Sequence, residues 1–148
     1  MNILLLANQP ESTTRLQLFR ETLTDLGYSV MVPSFGTRNW IAIARASRNL
    51  ILREKPDVVH IFNVPDIIYR KIPELRGVGF RKMVYDYRSP WGIEYQMNFG
   101  YAGRWIAERY EKELARIADS ITTVNTPLHQ KVRQYLHDDS CPTQIIPN

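Results

Sequence analysis

The chain of 148 residues contains one cysteine, Cys141. A single thiol permits no internal disulfide and no cysteine-built metal cage, and so points to a reducing compartment, the cytoplasm. Long apolar runs are missing as well. The amino-terminal stretch Ile3 to Ala7 has only five apolar residues and no basic segment before it, which fits neither a secretory signal nor a membrane span and reads as a buried strand. Glycine is scarce, seven in all, and none falls in NQPESTT, the segment that follows this strand. Phosphate-cradling turns need glycine where backbone amides close on the anion, so a dinucleotide fingerprint and a P-loop are excluded. A dinucleotide-dependent oxidoreductase or methyltransferase is disfavoured with them. The same strand ends in neutral Asn8 and Gln9, without the paired acidic residues of a phosphoacceptor domain. There is no repeat, linker or low-complexity segment.

Hydrophobic residues make up 44% of the chain and charged residues 23%, with eight Tyr, five Phe and three Trp. That is ample apolar surface for one core, and residues 1–148 read as a single domain. The charge is uneven. Residues 36–82 hold ten basic and four acidic residues, a net of +6, whereas residues 86–148 hold seven and eight. The basic stretch is either a solvated face or a positive field offered to an anionic partner such as an acidic lipid surface. It carries no nucleic-acid-binding motif and no interleaved aromatics, which argues against nucleic acid.

Strand and helix patterns alternate about six times. Strands are expected at Ile3–Ala7, Tyr28–Pro33, Asp57–Phe62, Lys82–Tyr87, Ser120–Val124 and Gln144–Ile146. A first helix opens from caps among Ser12 to Thr14, carries Leu16, Phe19, Leu23 and Leu26, and stops at Gly27. A second covers Arg38 to Glu54 with Trp40, Ile41, Ala44 and Ile51 inward and Arg45 and Arg48 outward. A short helix after Asn63–Asp66 stops at Pro73. Residues 92–103 are loosely patterned, Arg104 to Ala118 form a helix with Ile106, Tyr110, Leu114 and Ile117 on its inner face, and Pro127 to Leu136 form another. Glu108 and Lys112 sit one turn apart on a solvated face. The alternation predicts an α/β, Rossmann-like parallel sheet with right-handed crossovers and helices on both faces. In such sheets ligands sit beyond the carboxyl ends of the strands, so function is sought in the segments after them.

After the first strand, Asn8, Gln9 and Thr13 can hydrogen-bond a neutral polyol, or simply make the turn and cap the helix. His60 alternates with Val59 and Ile61 inside an apolar strand and reads as a satisfied core histidine rather than an acid or base. His129 and His137 lack ligand-spaced partners, so no metal site is expected. The segment DYRSPWGIEYQ is the densest in chemistry, with Asp86, Arg88, Ser89, Trp91, Glu94 and Tyr95 at a strand's carboxyl end. Arg88 could grip a carboxylate or phosphate, Trp91 could face a sugar ring, and Asp86 or Glu94 could accept a hydroxyl proton. The competing reading is an Asp86–Arg88 structural ion pair beside a buried Trp.

At these residues the chain resembles the amino-terminal domain of retaining glycosyltransferases of family 4, two-domain enzymes of the GT-B fold. KPDVVHIF is similar to that family's third-strand motif, DYRSPWGIE to its Asp-x-Arg-x-x-Trp segment, ADSITTVNT to the strand after its long helix, and QIIPN to the approach to its interdomain hinge. The resemblance implies transfer of a sugar from a nucleotide-diphosphate sugar to an acceptor, lipid-linked acceptors included, in the cleft between two Rossmann-like domains. It places Asn8 and Gln9 at the first loop, Asp86, Arg88 and Trp91 in the fourth, and Asn125 with Thr126 after the fifth strand.

Two departures qualify the resemblance. The first loop lacks the glycines that often contact donor phosphate in the family. The family's two glutamates eight positions apart lie in a donor-binding domain, and no glutamate here has another eight positions on. The expectation is therefore an acceptor-side domain, inactive without its donor domain. Asp86 or Glu94 would act on the acceptor hydroxyl, and Asn8, Gln9, Thr13, Asn63, Arg88, Ser89, Trp91, Asn125 and Thr126 would form the binding surface. No cofactor is implied. The rival from another class is a non-catalytic α/β module that binds a small polar ligand or a protein. A buried Trp91 with Arg88 locking Asp86 would favour that rival.

Overall fold

The computed structural model describes residues 1–136 and 141–147. His137 and Asn148, which entered the sequence reading, lie outside the described residues. Six strands form one all-parallel sheet: β1 (Asn2–Leu6), β2 (Ser29–Met31), β3 (Val58–Phe62), β4 (Lys82–Tyr87), β5 (Ser120–Thr123) and β6 (Thr143–Ile145). Their spatial order is β2-β1-β3-β4-β5-β6. Four helices pack on the two faces: α1 (Thr14–Asp25), α2 (Trp40–Glu54), α3 (Trp91–Ile117) and α4 (Thr126–Arg133). The fold is the Rossmann-like α/β arrangement that the alternation predicts, and each strand lies within a residue or two of its expected place. Among the described residues no helix is long and apolar enough to cross a membrane.

Side-chain alternation along parallel strands divides the core in two. On one face Leu16, Phe19 and Leu23 of α1 cover Ile3, Leu5 and Phe62. On the other, Ile43 and Ile51 of α2, Leu114 and Ala115 of α3 and Val132 of α4 cover the opposite residues of β1, β3, β4 and β5. His60 lies on the α1 face, buried, with its ring stacked 4.5 Å from Phe62 and edge-on to Phe19 at 4.7 Å. It is a core histidine held by packing rather than by a satisfied hydrogen-bond set, because Nε2 has no partner among the described residues. Burial pushes its pKa down to about 4.

Several helix phases differ from the pattern. α2 begins two residues inside its expected span, because Asn39 caps it by accepting from the amides of Ile41 and Ala42. Its buried stripe is Ile43, Ser47 and Ile51, while Trp40 and Ile41 are exposed; the polar Ser47 hid the true phase. Arg45 is exposed, and Arg48 pairs with Glu74. The segment after Asp66 is two short 3-10 turns, Asp66–Tyr69 and Pro73–Leu75, instead of one helix.

α3 starts at Trp91, more than three turns of helix before Arg104. Gly92, Gly100 and Gly103 lower the helical signal of this segment, and each has a structural reason: a Cβ on Gly103 would lie 2.6 Å from Phe99 Cβ. A Cβ on Gly92 would lie 2.5 Å from Glu108 Cγ, and Gly100 breaks the helix at φ 68° and ψ −166°. Its buried stripe is Gly103, Ala107, Glu111, Leu114 and Ala115, so Ile106 is exposed and Tyr110 only half-buried. Glu108 pairs with Arg104 one turn back (2.8 Å) instead of with Lys112, whose Nζ lies 5.5 Å from the Tyr135 ring centroid.

Two carboxylates are buried in this core. Asp66 accepts from the Tyr85 hydroxyl at 2.9 Å. Burial, reinforced by nearby Glu111, pushes its pKa from 3.8 up to about 8. Glu111 accepts from the hydroxyls of Tyr135 (2.8 Å) and Tyr87 (3.3 Å) and from the Gly92 amide (3.1 Å), and burial raises it too. A folded-state proton on Asp66 that the unfolded chain has released makes stability fall as pH rises through the folded value. His60 has the opposite sense but acts only below its ordinary value of 6.5. Between pH 6.5 and 8 urea midpoints should therefore fall by an amount equivalent to about 1 kcal/mol, and Asp66→Asn should flatten that slope.

Candidate functional site

The strand order reverses between β1 and β3. The chain leaves β1 for α1 on one face and leaves β3 for the other face, so a crevice opens beyond their carboxyl ends. The loops after β1 and β2 line a cleft of about 450 Å³ that includes Asn8, Gln9, Ser12, Ser34, Thr37 and Arg38. Amide and hydroxyl groups of this kind both donate and accept, and Arg38 adds a cation at the rim. Asn8 is half-buried and its Oδ1 has no partner among the described residues. Gln9 is exposed. Thr13 is buried, and its hydroxyl donates to the Gln9 carbonyl at 2.8 Å, holding the loop closed.

The loops after β3 and β4 are clamped together. Buried Asn63 donates from Nδ2 to the Ser89 carbonyl (2.6 Å) and accepts at Oδ1 from the Arg88 amide (3.0 Å), while Arg88 Nε donates back to the Asn63 carbonyl (2.9 Å). Asn63 is thus a structural brace, and Arg88 is half-buried with its guanidinium anchored through Nε. Ser89 donates from its hydroxyl to the carboxylate of Glu94, which is exposed in the first turn of α3. Trp91 is only 3% exposed; it lies 4.9 Å from Tyr95 and 6.3 Å from Trp40, ring centre to ring centre. Its ring is part of the packing that seats α3. Asn125 caps α4, accepting from the Leu128 amide at 3.0 Å, and Thr126 opens that helix; both are exposed.

Asp86 is enclosed completely, and its partner is Arg15, which replaces the expected Arg88 pairing. Arg15 Nε donates to Oδ2 at 2.8 Å and to Oδ1 at 3.0 Å, and Nη2 donates to Oδ1 at 2.9 Å. The Thr122 hydroxyl donates to Oδ1 as well. Arg15 is itself 5% exposed and reaches the Ile146 carbonyl at 2.5 Å through Nη1. Sequence reasoning missed Arg15 because it stands beside the apolar stripe of α1, one residue before Leu16, where a cation normally faces solvent. It also missed Glu111, although a charge in phase with Ala107 and Leu114 was a readable anomaly. Among the described residues no group of three His, Cys, Asp or Glu side chains comes together to hold a metal ion.

Removing one member of a buried pair strands the other charge. Arg15→Met should therefore cost about 3–5 kcal/mol of unfolding free energy, and the double change Arg15→Met/Asp86→Leu should recover a large part of it. Urea denaturation of the two variants beside the parent measures both. Compared with protein-family models, with curated proteins and with solved structures, the chain matches none of them.

Proposed function

We propose that this chain is the acceptor-side domain of a cytoplasmic, two-domain GT-B retaining glycosyltransferase, catalytic only when a donor-binding domain supplies the nucleotide-diphosphate sugar. The observation that carries the reading is the cleft beyond β1 and β2. Its amides and hydroxyls lie beyond the carboxyl ends of β1 and β2, and β1 borders the reversal of strand order where open α/β sheets bind ligands; they suit the alternating donors and acceptors of a sugar. No cofactor is part of the proposal.

The role of each side chain follows from its burial. Asn8, Gln9 and Arg38 line the binding surface, with Asn125 and Thr126 exposed at another strand end. Thr13 and Asn63 hold the loops in shape, and Arg88 is steadied by Asn63 so that the rest of its guanidinium can meet an anion. Asp86, enclosed by Arg15, is a positioning residue. Glu94, exposed and held by Ser89, is the carboxylate with access to an acceptor hydroxyl: as the acceptor oxygen bonds the anomeric carbon, the nucleotide diphosphate leaves with the electron pair of the bond it gives up and Glu94 accepts the hydroxyl proton.

A second reading, a binding module without catalysis, is favoured by one observation: buried Trp91 offers no face to a sugar ring. Amide-shift titration separates the two. A mono- or disaccharide acceptor should move the amides of Asn8, Gln9, Thr37 and Ser89 in the ¹⁵N-labelled chain; unmoved amides across a panel of sugars would favour the second reading. In protein that carries the donor domain, Glu94→Gln should lower kcat by about 100-fold with an unchanged urea midpoint. Unaltered turnover would remove Glu94 from the chemistry.

A further inference from the structure

The kinked helix α3 and the first turn of α2 carry a run of large apolar side chains that nothing among the described residues covers. Met97 is 85% exposed, Tyr101 79%, Trp105 66% and Phe99 61%, and Ile41 on α2 is 74% exposed. Phe99 ends a chain of ring contacts that starts on α2: Trp40 lies 6.3 Å from Trp91, edge-on, Trp91 4.9 Å from Tyr95, and Tyr95 4.4 Å from Phe99. The ladder climbs from the core at Trp91 to open solvent at Phe99. Scattered exposed apolar residues are ordinary, but a cluster of this size marks a contact surface.

The charge around it selects the partner. Between Asp25 and Glu54 the sequence has no acidic residue and four arginines: Arg38, Arg45, Arg48 and Arg53. Arg48 and Arg53 are paired with Glu74 and Glu54. Arg38 and Arg45 are exposed and form no ion pair among the described residues, and they flank Trp40 and Ile41. A second copy in a two-fold contact would set these arginines against their own kind. Exposed Trp and Tyr beside unpaired arginines match the interfacial zone of an anionic bilayer, where aromatic rings settle at headgroup depth and cations meet lipid phosphates.

We infer that the crest formed by Met97, Phe99, Tyr101 and Trp105, with Ile41 and Arg45 beside it, is a docking face for an anionic lipid bilayer. None of these six residues lines the polar cleft, which meets this face at Arg38, and the inference stands whether or not the chain transfers a sugar. A lipid contact at this crest moves the membrane-facing surface from the broad basic stretch at residues 36–82 to a defined aromatic edge.

Sedimentation of the whole chain with vesicles tests it, using phosphatidylcholine alone and phosphatidylcholine mixed with phosphatidylglycerol. The chain should partition onto the anionic vesicles at low salt with a blue shift of tryptophan emission, and only weakly onto the neutral ones. Phe99→Ser/Trp105→Ser should lower that partition by about tenfold or more. Arg45→Glu, which leaves every apolar side chain in place, should lower it by roughly fivefold or more, on anionic vesicles only. Circular dichroism of both variants should match the parent, since the replaced groups are exposed; if the double variant does not fold, Arg45→Glu alone decides. The inference is overturned if the parent chain stays in solution with anionic vesicles at low salt, or if folded variants bind as the parent does. It is also overturned if sedimentation equilibrium shows a dimer that Phe99→Ser/Trp105→Ser dissolves, because a second copy would then occupy the crest.

Discussion

The carboxyl edge of this sheet depends on the contact between Arg15 and Asp86. One guanidinium, carried on the helix that covers one face, reaches the end of β4, meets a carboxylate also bonded by Thr122 of β5, and continues to the backbone beyond β6. Four elements far apart in sequence therefore share one charge pair. Withdrawing both charges from water is expensive, and a pair of this kind adds little net stability over an apolar substitute. Its effect is specificity: α1 can seat in one register only, because any other leaves a buried charge without its partner. It also takes Asp86 out of contact with solvent and leaves Glu94 as the open carboxylate of that loop.

A second polar layer lies on the opposite face of the sheet. Tyr85 and Tyr87 alternate with Asp86 along β4, so one strand sends its carboxylate to the α1 side and its two phenols to the other. The phenols meet Asp66 and Glu111, acids that burial keeps towards their protonated forms. Glu111 also holds the Gly92 amide at the start of α3. The orientation of the loop that carries Ser89 and Glu94 is thus fixed from inside the core, through a hydrogen-bonded acid two helical turns short of the far end of α3.

What was legible in the sequence was local. β-branched runs such as DVVHIF gave strands at nearly their observed bounds, Gly27 gave the end of α1, and the alternation gave a parallel sheet with helices on both faces. Long-range pairing was not legible. Arg15 and Asp86 are 71 positions apart, and the nearer Arg88 was the natural partner to assume; its guanidinium instead serves the Asn63 backbone. Helix phases failed where polar residues occupy the buried stripe, Ser47 in α2 and Glu111 in α3, since periodicity counts apolar positions. Of the candidate site residues, Asn8 and Gln9 line the open cleft. Asn63, Thr13 and Trp91 proved to be framework, because the residue types that bind a sugar also brace loops.

Gly100 gives α3 a further property. Its backbone lies where L side chains rarely go, and the helix is kinked there. The residues before it, Trp91 to Phe99, are held by ring stacking and by Glu111, whereas those after it are held by the main core. Local opening of the first part need not propagate into the second, so the two halves should behave as separate cooperative units in amide hydrogen exchange. The segment that bears Glu94 keeps its orientation only while the bonds from Glu111 to the Gly92 amide and from Arg104 to Gln96 hold, and it can open before the sheet beneath it does.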